Sequence, residues 1–274
     1  MRVVMGNLGA IYRKELHGYF TSPLAYAIAA IFWLLAGFLL VVTLEGTILQ
    51  AASWDFQAKE TGISLPSLDA PYEFLKTFLG GMGYLSLFIL PMLSMGLYAE
   101  ERKLGTLELL ATSPITNWAV ATGKLLGVAT FFTTMVMPLL FCEAIILSAT
   151  SPPIPPAVPL MAHIGLILVA TSILSLGMFI SSLTDSTILA AILTFTLAFS
   201  LWIIELIANY LSNLSGSKWQ LVGEALERLS LLRHYYNAVT GIFDTSSLIM
   251  LASYIFVGVF LTAGSIEVLR FDRS

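Results

Sequence analysis

The residues with chemical capacity are few, and most crowd into one stretch. From Ala99 to Lys124 it reads AEERKLGTLELLATSPITNWAVATGK. Glu100, Glu101, Arg102 and Lys103 set two carboxylates beside two cations. Gly105 can interrupt a helix, and Thr106 can cap a new one with Glu108 in its first turn, where an acid suits the positive end of the helix dipole. Leu107, Leu109 and Leu110 give that short helix an apolar side, and Ser113-Pro114 ends it. These residues make a compact charged lever that another protein can grip, not a bond-making centre. The plain alternative is an ordinary loop packed on headgroups, because charges commonly flank membrane spans.

Signatures of catalysis are missing from the sequence. A phosphate-binding loop needs G-x-x-x-x-G-K-[ST], but Gly123-Lys124 is followed by Leu125, and position 118 is Trp. The chain is therefore not expected to bind or hydrolyse ATP alone. His17, His163 and His234 form neither an i, i+4 pair nor an H-E-x-x-H motif, so no metal site is expected. No G-x-S-x-G elbow is present. The single cysteine, Cys142, excludes an internal disulfide, and a net charge of −4 offers no basic surface to nucleic acid.

Two acids, Glu143 and Glu205, lie inside long apolar runs. A carboxylate in hydrocarbon is expensive and asks for a function. Both are expected toward the outer ends of their helices, where they either line an outer vestibule or serve as headgroup anchors or interhelical hydrogen-bond partners. Asp185, in the turn SLTDS, either caps the helix that follows or touches a partner protein.

These residues must be positioned by elements made for lipid. The chain has 274 residues, 57% hydrophobic and 11% charged, with mean hydropathy +0.87. A soluble domain carries about 25% charged residues. Apolar runs of about 20 residues cross a bilayer as helices, because the backbone must satisfy its own hydrogen bonds there. The sequence thus predicts an all-α integral membrane protein with one transmembrane domain over residues 1–274. Its six spans fall at about 24–44, 79–99, 118–147, 160–181, 187–210 and 247–268. Pro91 and Pro138 lie inside the second and third spans and should kink them.

Ahead of the spans, residues 3–21 read as an amphipathic interfacial helix. Val4, Leu8, Ile11, Tyr12, Leu16, Tyr19 and Phe20 share one side, Arg13, Lys14 and His17 sit largely on other faces, and Glu15 adds a further charge. Ser22-Pro23 suits a cap followed by proline at the first helical position. No cleavable signal peptide is expected, since the first long apolar run starts after Pro23. Between spans, 100–116 is the short charged connection, 45–78 a long polar segment, and 148–159 a stiff proline-rich one. Within 211–246, residues 220–238 suit a short interfacial helix. Lys124 should snorkel to the inner headgroups. With the amino end inside, eight of the 13 Lys and Arg residues lie on inner segments, which places both termini in the cytoplasm.

The cluster around Glu100–Pro114 resembles the signature of type-2 ABC exporter membrane subunits. In that signature an acidic-basic cluster leads into Gly-Thr, an acid, a leucine pair and a proline. The matching positions are Glu100, Glu101, Arg102, Gly105, Thr106, Glu108, Leu109, Leu110 and Pro114. RKELHGYFTSPLAY at 13–26, SSLTDSTILAAILTF at 181–195 and LSLLRHYYNAVTGIFD at 229–244 resemble the gliding-motility (GldF-like) permease branch, with the nitrous-oxide-operon (NosY-like) permeases nearby. The outer segment 45–78 matches only weakly. The resemblance implies a six-helix permease in the bacterial inner membrane that pairs with a second copy or a paralogue. It also implies a separate cytoplasmic ABC ATPase subunit, carrying ATP and Mg, that meets the interfacial helix and the 100–116 segment. In the gliding branch a subunit with a periplasmic domain often joins. Exported cargo is one functional expectation; a mechanical subunit passing force to a periplasmic partner is the other.

Overall fold

The computed structural model describes residues 2–61, 69–107, 115–150, 154–213, 217–241 and 244–271. These are helical almost throughout. In chain order the helices are α1 (Arg2–Thr21), α2 (Pro23–Thr61), α3 (Ala70–Ser94), α4 (Gly96–Lys103), α5 (Asn117–Ser148), α6 (Ala157–Leu183), α7 (Thr187–Ser212), α8 (Ser217–Leu229), α9 (Leu231–Val239) and α10 (Thr245–Phe271). Six of the described helices are long and apolar enough to cross a membrane: α2, α3 continued by α4, α5, α6, α7 and α10.

Two of them extend into the segment expected to be a polar connection. Helix α2 runs on to Thr61, because Gln50, Ala51, Ala52 and Gln57 favour helix and no proline stops it. Helix α3 starts at Ala70, where the Asp69 carboxylate accepts from the Tyr72 backbone N–H at 3.2 Å and Pro71 suits the first turn. Pro138 lies within α5. Pro91 lies four residues before the break at Met95 that separates α3 from α4.

That break is repaired from another helix. The Ser181 hydroxyl of α6 donates to Met95 O at 2.7 Å and accepts from the N–H groups of Tyr98 and Ala99 at 3.1 and 3.0 Å. One side chain thus satisfies backbone groups that the interruption would leave orphaned. Helix α6 is the most buried of the six and α3 follows it, whereas α2 and α7 keep most of their surface outside the chain. Against α10, Ser172 and Ser175 donate to Leu251 O and Tyr254 O at 3.1 and 3.2 Å. A Cβ on Gly258 would stand 2.6 Å from the Ser175 backbone, so these helices meet almost backbone to backbone. Small residues and interhelical hydroxyls are what hold helices together where lipid removes the hydrophobic drive.

Two further expectations are corrected. The cap of α7 is Ser186, whose hydroxyl accepts from Leu189 N–H at 3.3 Å, while Asp185 is exposed one residue too early to reach that N–H. The 220–238 segment is two helices. Helix α9 is inserted into the protein, not laid on its surface, and its Leu231, His234, Tyr235, Ala238 and Val239 are buried.

Candidate functional site

The expected lever and the expected interfacial helix are joined at one buried residue. Lys124, on α5, is 2% exposed. Its Nζ donates to Glu15 Oε1 of α1 at 2.9 Å and to Leu97 O of α4 at 2.9 Å. It lies 3.0 Å from Glu101 Oε1, also of α4. An ammonium has three N–H donors, and two of them make these hydrogen bonds while the charge also pairs with Glu101. Lys14 Nζ stands 3.5 Å from Glu101 and 4.0 Å from Glu15, which closes a four-membered cluster of two cations and two carboxylates with no net charge. The Tyr98 ring lies 5.0 Å from Nζ, close enough for cation–π attraction.

Lys124 therefore does not snorkel. It points into the protein because two carboxylates and a carbonyl await it there, and headgroup water offers nothing comparable. No sequence pattern announced this, since Glu15, Glu101 and Lys124 come from three separate helices. The signal that was available is the spacing Gly123-x-x-x-Gly127. A Cβ on Gly123 would meet Ile11 Cγ2 at 2.8 Å, and one on Gly127 would meet Glu15 Cβ at 2.8 Å. The two glycines make a trough in α5 that admits α1 and brings Glu15 to Lys124.

Further contacts fix α1 along its length. Tyr12 donates to Thr130 Oγ1 at 3.3 Å, and Tyr19 donates to Leu93 O at 2.7 Å while its ring stacks on Phe131 at 5.1 Å. Burial, then the charges of Glu15 and Glu100, push the Tyr19 hydroxyl well above its ordinary pKa, so it stays a neutral donor. Helix α1 is thus bound to the bundle by its apolar side, with Arg13, Lys14 and His17 exposed.

On α4, Arg102 donates from Nη1 to Ser182 O of α6 at 2.8 Å, and Glu100 is exposed. The helix ends as a Schellman motif. Gly105, at φ +71°, donates to Arg102 O at 3.1 Å, and Thr106 N–H donates to Glu101 O at 3.0 Å. Gly105 interrupts the helix because a left-handed residue is needed there. The Thr106 hydroxyl donates back to Glu101 O at 3.2 Å, so it closes α4. Leu107 is buried. Glu108, Leu109, Leu110 and Pro114 lie outside the described residues. A cleft of about 670 Å³ opens between α1, the start of α2 and α4, with Glu15, Tyr19, Glu100 and Lys103 among its walls.

The two acids of the apolar runs sit elsewhere. Nineteen residues of α5 separate Glu143 from Lys124, a rise of about 28 Å at 1.5 Å per residue, close to the thickness of the hydrocarbon core, about 30 Å. Glu143 is fully buried, so it does not reach headgroups or water as expected. Glu205 is partly buried and accepts from the Ser230 hydroxyl at 3.3 Å. That hydroxyl also accepts from Arg233 N–H and so caps α9. Of the expected residues, the structure brings together Lys14, Glu15 and Glu101, and leaves Arg13, Glu143 and Glu205 apart from them.

The model of the ABC-2 family transporter proteins matches residues 9–274. The chain belongs to this family. The match takes in about two-thirds of α1 and every candidate span, so the Lys124 cluster lies wholly within it. This ABC-2 protein is a multi-pass membrane permease subunit of an ABC transporter. No curated protein matches the chain.

Proposed function

We propose that this ABC-2 protein is the permease half of an ATP-driven exporter, of the gliding-motility or nitrous-oxide-operon type, in a bacterial inner membrane. A separate ATPase subunit carries ATP and Mg and seats against α1 and the end of α4 on the cytoplasmic side, with both chain termini on that side. A second permease, identical or paralogous, completes the pathway; the extensive outer surfaces of α2 and α7 are available to it. A subunit with a periplasmic domain is a further expected companion.

The observation that carries the reading is the Lys124 cluster. A push delivered to either α1 or α4 reaches the other, and α5, through the charge-assisted hydrogen bonds of Lys124 to Glu15 and Leu97 O and its ion pair with Glu101. Three membrane-associated helices then move as one body, which is what a motor outside the membrane requires. Glu100, Arg13 and Lys103 are the exposed charges beside this junction, and Glu108, Leu109, Leu110 and Pro114 would extend the seat.

The test is purification with the ATPase encoded beside the chain, followed by ATP-driven transport in vesicles. Glu101→Ala should leave ATP hydrolysis running while transport falls at least tenfold. Equal loss of both, or of neither, removes the proposed coupling. The mechanical alternative predicts ATP hydrolysis with no cargo movement in any vesicle, together with a periplasmic partner retained through purification.

A further inference from the structure

At the end of α5 remote from Lys124, a carboxyl is sealed in the protein with nothing to bond. Both oxygens of Glu143 are buried without a hydrogen-bond partner, and the side chain is 0% exposed. The groups that face it are already committed. His163 of α6 places Nδ1 3.7 Å from Glu143 Oε2, beyond hydrogen-bonding reach, and that nitrogen is 2.9 Å from Pro159 O. A carbonyl only accepts, so Nδ1 carries hydrogen and Nε2 is the basic nitrogen of the neutral ring. Tyr235 of α9 gives its single proton to Leu79 O. Burial pushes its hydroxyl well above its ordinary pKa, so it keeps that proton. Glu143 forms no other ion pair among the described residues.

A carboxylate buried without donors is strongly disfavoured. A carboxylic acid removes the charge and most of that cost. We infer that Glu143 and His163 form a proton-binding site, with the proton held on the Glu143 carboxyl in this conformation and exchanged through the imidazole when this end of the bundle opens. In that step the Glu143 O–H bond breaks and its electron pair stays on the carboxylate. The proton goes to His163 Nε2 through an entering water. The resulting imidazolium stands beside the carboxylate until it passes its proton to solvent. The burial of α9 between the helices, with Tyr235 against Leu79 of α3, supplies the element whose displacement would admit water. This inference rests on the Glu143 surroundings alone and stands or falls independently of any ATPase.

Infrared spectroscopy of the full chain in lipid reads the bound proton directly. The expected result is a carboxylic-acid C=O band at neutral pH that Glu143→Gln abolishes and that disappears reversibly as pH is raised. If Glu143→Gln does not fold, Glu143→Asp identifies the same band by moving it, since the acid is kept. His163→Phe removes the base that relays the proton, and should slow the loss and return of the band after a pH step at least tenfold. Three results would overturn the site: no acid band that either Glu143 substitution alters, a band unresponsive to pH wherever the protein stays folded, or a rate of band loss after a pH step unchanged by His163→Phe.

Discussion

Removing the ammonium from the four-charge cluster is the sharpest perturbation that the structure offers. Lys124→Met keeps the length of the side chain and deletes its charge. Glu15 Oε1 and Glu101 Oε1 both touch one nitrogen, so they stand at most about 6 Å apart. At an effective dielectric of about 20, two carboxylates at that distance repel by about 3 kcal/mol. Their side chains are only 14% and 19% exposed, so water relieves little of this, and Leu97 O loses its donor as well. Breaking a buried pair from one side costs about 3–5 kcal/mol in general, which agrees. Reversible unfolding of the purified chain in mixed micelles, followed by tryptophan fluorescence, should therefore show Lys124→Met destabilised by about 3–5 kcal/mol. Adding Glu15→Gln and Glu101→Gln removes the stranded charges and should return all but about 1–2 kcal/mol, since a buried ion network replaced as a whole is often nearly neutral. A single substitution within about 0.5 kcal/mol of wild type, or a triple variant worse than the single, would refute the argument.

Three other substitutions test the elements around the cluster. Gly127→Leu places its Cβ against Glu15 and should lift α1 off α5, seen as faster proteolysis of residues 2–21 and a loss of about 1–3 kcal/mol by the same unfolding assay. Ser181→Ala orphans the N–H groups of Tyr98 and Ala99 and should cost about 1–3 kcal/mol, with hydrogen exchange accelerated at those two amides. Gly105→Ala meets open space but a left-handed backbone, so it should cost about 1–2 kcal/mol, whereas Gly105→Asn should cost less, because Asn tolerates that region.

The six apolar helices are legible in the sequence because each alone exceeds the length a bilayer demands. The cluster from Glu100 to Lys103 is conspicuous for the same reason, as charge in a chain that has little. What is not legible is the pairing. Lys124 meets residues 23 and 109 positions away, and its burial depends on a glycine trough that only the folded α5 reveals. Glu143 looks like an interfacial acid because its distance from the helix end says nothing of the helices that cover it. The cap of α7 was misassigned to Asp185 for a local reason: two adjacent polar residues compete, and register within the turn decides between them. The burial of α9 escaped notice because an amphipathic pattern does not say whether its apolar side meets lipid or protein.

The central claim is that a nucleotide-binding partner seats on the junction of α1 and α4. Determination of the structure of the complex, purified from membranes with its ATPase, tests it most directly. The account predicts ATPase density against Arg13, Glu100, Lys103 and the segment that follows Thr106. Density seated at the Glu143 end of α5, or no nucleotide-binding subunit on the α1–α4 junction, would contradict it.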